Sequence, residues 1–97
     1  MWWWPWGKAI RRPAVVLYTR EGCHLCHEVR ALLEAERAGV DFELTVLDID
    51  LDEGQKRLYD TEVPVVSIDG RVRFRGTVNP VLLRRTLRAA CTSGFPA

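Results

Sequence analysis

The 97-residue sequence is short of several residue types at once. It has one methionine, Met1, and two histidines, His24 and His27. Both histidines fall inside one stretch, Cys23-His24-Leu25-Cys26-His27. That stretch spells the C-x-x-C-H pattern of haem c attachment, but the shortage leaves a haem there without a distal ligand. Cysteine is scarce too, at three residues, an odd number too small for a disulfide-stapled scaffold. A zinc site on Cys23 and Cys26 needs four ligands; Cys91 is the only distant cysteine, and no second C-x-x-C exists. No metal is therefore expected. No apolar run is long enough for a transmembrane helix. A net charge of +1 gives no whole-molecule attraction to nucleic acid or membrane. A single domain in a reducing cytoplasm is the expectation, with residues 14–91 as its body.

What the chain does have is a strand, a break and a helix around the cysteines. Ala14-Val15-Val16-Leu17-Tyr18-Thr19 reads as a buried strand. Arg20-Glu21-Gly22 makes the break, and Cys26, Val29, Leu32 and Leu33 then recur at helical spacing. A helix starting at or within the motif brings unpaired N–H groups and about half a positive charge to its first turn. A thiol placed there ionises more readily, and the thiolate is the reactive form. Cys23 is then the nucleophile. Cys26, three residues on and on the same face, can attack a mixed disulfide at Cys23 and release the substrate. His24, when protonated, would favour the Cys23 thiolate; the alternative is a solvent-facing loop histidine.

The first helix is expected from about Leu25 to Ala38, stopped by Gly39. Val40 to Ile49 reads as a strand packed on both faces, parallel to the first strand through a β-α-β crossover. Asp48, Asp50, Asp52 and Glu53 form an acidic cluster without calcium-loop spacing. Asp50 is read as the cap of a short helix, with Leu51, Leu58 and Tyr59 turned inward. Pro64 heads the run Val65-Val66, and Asp69-Gly70 is a two-residue hairpin turn. On the returning strand Val72 and Phe74 are expected inward. Arg71, Arg73 and Arg75 are expected outward, as edge protection rather than a nucleic-acid surface. Asn79-Pro80 opens the last helix, whose stripe is Leu83, Leu87, Ala90 and Cys91. Residues 1–13 form a tryptophan-rich tail. Its charges follow the apolar run, opposite to the order in a signal peptide. It is a candidate for contacts of an otherwise monomeric protein. Residues 92–97 form a second tail.

The order β-α-β-α-β-β-α, with C-x-x-C opening the first helix and Val63-Pro64 opening the third strand, resembles the thioredoxin fold. Within it the chain is similar to the small glutaredoxin-like proteins with C-x-L-C, over Val15 to about Ala90. The resemblance implies an α/β domain with a central four-stranded mixed sheet and helices on both faces. It implies thiol–disulfide oxidoreductase activity on protein or glutathione mixed disulfides. Cys23 stands at the nucleophile, Cys26 at the resolving cysteine and Pro64 at the cis-proline opposite them. Val63 stands at the residue whose backbone pairs with the bound peptide or glutathione, and Arg20 at the basic residue for glutathione's glycine carboxylate. His24-Leu25 departs from the usual Pro-Tyr. Of the pattern that holds the γ-glutamyl end, Arg75-Gly76-Thr77-Val78 keeps only Gly76. Protein disulfides and glutathione therefore both stand as substrates. No cofactor is required beyond glutathione or a reductase for recycling. The reading from another class is a non-catalytic thioredoxin-fold module that senses oxidation or holds zinc.

Overall fold

The computed structural model describes residues 12–92. The tryptophan-rich tail proper and residues 93–97 lie outside the described residues, and so do the roles suggested for them. Eight elements follow in order: β1 (Ala14–Thr19), α1 (His24–Glu36), β2 (Glu43–Asp48), a 3₁₀ turn (Ile49–Leu51), α2 (Glu53–Tyr59), β3 (Val65–Ile68), β4 (Arg71–Arg75) and α3 (Pro80–Thr92).

The four strands form one mixed sheet in the order β2-β1-β3-β4. β1 lies inside it because its residues are apolar on both faces. It runs parallel to β2, with Leu17 beside Val46 and Thr19 beside Asp48. It runs antiparallel to β3, with Leu17 beside Val66 and Tyr18 beside Val65. Val15 and Leu17 point to one face, where they meet Val29 and Leu33 of α1 and Leu83 and Leu87 of α3 in the buried core. The opposite face carries α2, whose Tyr59 ring lies 4.6 Å from that of Tyr18. Helices thus cover both faces of a thioredoxin-like sheet, unequally: two pack deeply and one touches a corner.

The unequal cover explains where sequence expectation and structure differ. Leu51 and Leu58, expected inward, are 85% and 66% exposed. Ile49 fills the buried position at the end of β2. Each 3₁₀ residue turns the chain by about 120°, so Leu51, two residues on, points away. The helix after it is seven residues long and buries none of them fully. Its cap is Asp52, not Asp50: the Asp52 carboxylate accepts from the Gln55 N–H at 2.9 Å. Asp48 serves the 3₁₀ turn in the same way, accepting from the Asp50 N–H at 2.9 Å. Helix α2 begins at Glu53, which makes Gln55 the third helical donor and Asp52 its natural acceptor. Asp50 is left for another partner.

β2 is shorter than its apolar pattern and lies at the sheet edge. Val40 and Phe42 are buried ahead of it, Leu44 and Val46 pack on the core, and Glu43 and Thr45 face solvent. The β3–β4 hairpin turns at Asp69 and Gly70, both at positive φ (51° and 83°), as a two-residue turn of matching twist requires. Its register shifts between Val66 and Ser67, so Phe74 pairs with Val66 while Val72 pairs with Ser67. Phe74 packs against the core; Val72, expected beside it, is half-buried across from Ser67 on the other face. Arg71, Arg73 and Arg75 are exposed, as their alternation suggests.

Asn79 caps α3 by accepting from the Val81 and Leu82 N–H groups at 2.9 and 3.2 Å, with Pro80 as the first helical residue. Cys91 packs against the core at the far end of that helix. No helix among the described residues is long and apolar enough to cross a membrane.

Truncating a buried core side chain removes its burial and leaves a void. Leu33→Ala, at a fully buried site on α1, should lower unfolding stability by about 2–5 kcal/mol in urea titrations. Leu58→Ala, at an exposed site, should stay within about 0.5 kcal/mol of wild type. Comparable losses at the two positions would contradict the placement of α2.

Candidate active site

β1 delivers the chain directly to the cysteines. Past Thr19 it turns through Arg20-Glu21-Gly22-Cys23, closed by the Cys23 N–H donating to the Arg20 carbonyl at 3.3 Å. Gly22 has φ +80°. A type II turn needs that sign at its third residue, and glycine supplies it without a side-chain penalty. Cys23 itself is extended, at φ −86° and ψ 105°, and is the N-cap of α1. Its sulfur takes the place of a capping hydroxyl: Sγ accepts from the Cys26 N–H at 3.1 Å. The Cys23 carbonyl accepts the first helical bond, from the His27 N–H at 3.4 Å. The first turn of α1 holds no acidic side chain to offset the positive helix end.

Cys23 and Cys26 are joined as a disulfide, with Cα atoms 5.2 Å apart, inside the range such a bond spans. Their surroundings differ. Cys23 is half-buried, whereas Cys26 is 3% exposed and faces the core side of α1. An incoming sulfur can reach the first and not the second.

The structure gathers most of the other sequence-nominated residues at this end of the sheet. The Val63–Pro64 peptide bond is cis. Val65 pairs with Tyr18, so the antiparallel register carries Pro64 to Thr19, the last residue of β1, and Val63 past it, towards the turn that leads into the motif. Pro64 is buried and Val63 half-buried. Gly76, at φ +69°, donates its N–H to the Pro64 carbonyl at 2.7 Å. That N–H is therefore committed to holding the proline loop rather than open to a ligand. His24 faces solvent, its side chain 92% exposed, and its partner is the Glu28 carboxylate at 3.6 Å, an ion pair only when the imidazole is protonated.

Arg20 is placed otherwise than as an open cation. Its guanidinium forks onto Asp50 at 2.7 and 3.2 Å. It also bonds the Asp60 carbonyl at 2.7 Å and the Asp60 carboxylate at 2.8 Å. These hydrogen bonds push the arginine's proton affinity further up, and the one from Arg20 pulls the Asp50 carboxyl down from its usual range. A substrate carboxylate would have to displace one of the two aspartates. Arg75 is likewise paired, with Glu62. The sequence pattern does not mark Asp50, Asp60 or Glu62 as site residues. One signal was available for Asp50: two parallel strands end at the same edge, so the residues after β1 and those after β2 must meet.

Behind the motif a groove of about 240 Å³ runs between α1 and the ends of β1 and β2. Leu17, Val46 and Cys26 line it together with polar groups that include His27 and Asp48. Among the described residues, no group of three or more His, Cys, Asp or Glu side chains is placed to share a metal ion.

Comparison with known proteins agrees with this geometry. Residues 14–88 match the family model described as glutaredoxin-like domain (DUF836). An uncharacterised protein of Mycobacterium tuberculosis is 31% identical over 92 residues, covering 90% of this chain and 94% of its own. The solution structure of a Nitrosomonas europaea protein superposes with a TM-score of 0.72 at 31% identity, over 84% of this chain and 98% of that one. A thioredoxin from Halobacterium salinarum superposes with a TM-score of 0.64 at 17% identity, over 87% of this chain and 78% of that one. At that identity the likeness is one of fold.

The Arg20 cluster has a pH signature. A carboxyl whose folded-state pKa is depressed stabilises the fold fully above its unfolded value, about 4, and loses that contribution as pH falls through the folded value. Asp50→Asn should therefore be less stable than wild type at pH 7. The gap should narrow steadily below about pH 4, as read from urea midpoints at each pH. A gap that is constant or widens in acid would remove the electrostatic account of this contact.

Proposed function

Since the chain belongs to the family of glutaredoxin-like domains, we propose that it is a thiol–disulfide oxidoreductase that reduces or exchanges protein or glutathione mixed disulfides through Cys23 and Cys26. The observation that carries this reading is the unequal pair at the start of α1: an accessible capping sulfur bonded to a sealed one.

In the reduced protein the Cys23 thiolate is the attacking group. The Cys26 N–H at 3.1 Å and the helix end both favour the charged form of the sulfur they face. The thiolate attacks one sulfur of a substrate disulfide. A Cys23–substrate bond forms, the substrate's own S–S bond breaks, and the first thiolate leaves. Cys26 then attacks Cys23, the Cys23–Cys26 bond forms, and the second substrate thiolate departs. Two electrons have passed to the substrate, leaving the bonded pair. Glutathione or a reductase then reopens that disulfide. No metal or organic cofactor enters. Val63 and Pro64 align the substrate beside Cys23: the backbone ahead of a strand's first residue can take an extended chain as a short added strand. Gly76 supports that role by anchoring the Pro64 carbonyl.

Removing each sulfur separates the two steps. Cys23→Ser should abolish disulfide reduction. Cys26→Ser should retain the attack and accumulate a mixed disulfide at position 23, seen as an added mass on the intact protein. Adduct formation on Cys26 in the Cys23→Ser protein, with none in the reverse variant, would invert the roles assigned here.

A further inference from the structure

His27 follows the motif directly and has no part in the steps above. It is exposed at the surface and lines the groove behind the disulfide together with Cys26, which is itself 3% exposed. The resolving step needs the Cys26 thiol to lose a proton, yet Cys26 lacks the help Cys23 receives at the helix cap. It is buried, and burial makes a thiol hold its proton more tightly than in water. A proton acceptor inside the groove would relieve this.

The ionisable groups facing that space are His27 and Arg30 of α1, Arg20 and Glu21 of the turn, and Asp48 of β2. The arginines accept nothing. The carboxylates are weak bases, and Asp48 already accepts from the Asp50 N–H. An imidazole is the side chain best matched to proton exchange near neutrality. The charge it gains is tolerated here: Arg20 is neutralised by Asp50 and Asp60, leaving Glu21 and Asp48 to face Arg30 and the new cation.

We propose that His27 is the proton acceptor for Cys26 when the mixed disulfide is resolved. This rests on the two-cysteine reading given above. The imidazole nitrogen takes the thiol proton. The Cys26 sulfur pair forms the bond to Cys23, and the Cys23–substrate bond breaks with its electrons on the departing sulfur. The imidazolium returns the proton to that sulfur or to water. The C-x-x-C-H spelling thereby acquires a meaning other than haem attachment.

The test is stopped-flow reaction of the reduced full chain with a symmetrical aryl disulfide that releases a coloured thiolate. The first release reports attack by Cys23 and the second reports resolution by Cys26. In His27→Ala the second phase should slow about tenfold or more at pH 7, with the first phase unchanged. Added imidazole should restore the second phase. In wild type that phase should slow as the pH is lowered, because an imidazolium accepts no proton. The variant should lack this step and converge on wild type at alkaline pH, where hydroxide takes the proton. An unchanged second phase, or equal slowing of both phases without imidazole rescue, overturns the proposal and leaves the oxidoreductase reading intact. If neither release occurs in wild type, the oxidoreductase reading itself fails, and with it the role of His27.

Discussion

The hydrogen bond from the Cys26 N–H to the Cys23 sulfur is where backbone geometry and chemistry meet in this domain. A helix start must find acceptors for its first N–H groups, and the chain meets that requirement with a cysteine sulfur instead of a hydroxyl or carboxylate. Folding and reactivity are thereby tied together: the arrangement that closes α1 is also the one that favours a negative sulfur. The glycine turn, the interior position of β1 and the packing of Val29 and Leu33 beneath the helix all hold that cap in place. A looser core would let the helix end move away from the sulfur that depends on it.

Charge around the motif is spent mostly on holding structure. Arg20, which leaves β1 one residue after its end, ties the turn before the cysteines to the 3₁₀ segment through Asp50 and to the end of α2 through Asp60. That link helps explain how α2 stays in place while burying no residue fully. It also changes what the surface offers a ligand, since a guanidinium forked onto two aspartates is a poor grip for a third carboxylate. Arg75 with Glu62 repeats the pattern near the proline loop. The end of the sheet that presents Cys23 is thus more neutral than its arginine count suggests.

Much of the fold was legible because local and global signals agree. The six residues of β1, the Asp69-Gly70 turn, the Asn79-Pro80 cap and the stripe of α3 each follow from a rule acting over a few residues. The misreadings cluster in the span from Ile49 to Tyr59. There the chain passes through a 3₁₀ turn that rotates the apolar pattern, and an alternation counted as strand or α-helix puts Leu51 and Leu58 on the wrong side. Asp50 was misread for a related reason: which aspartate caps a short helix depends on its first residue, the feature a sequence pattern marks least well. The place of the cysteine pair at the start of α1 could be read from local pattern alone, whereas the Arg20–Asp50 contact spans 30 residues and needed the parallel register to bring it into view.

At the other end of β1, Ala14 and Asp69 clasp each other. The Ala14 N–H donates to the Asp69 carboxylate at 3.0 Å, and the Asp69 N–H to the Ala14 carbonyl at 2.8 Å. This staple fastens the hairpin tip to the strand's first residue, a strand length of about 20 Å from the turn that carries the cysteines. The polypeptide therefore enters the domain at the pole opposite its sulfur chemistry. A label, tether or immobilising surface joined through that entry would leave the reactive pole pointing outward, and its load would fall on the stapled hairpin rather than on the thiols.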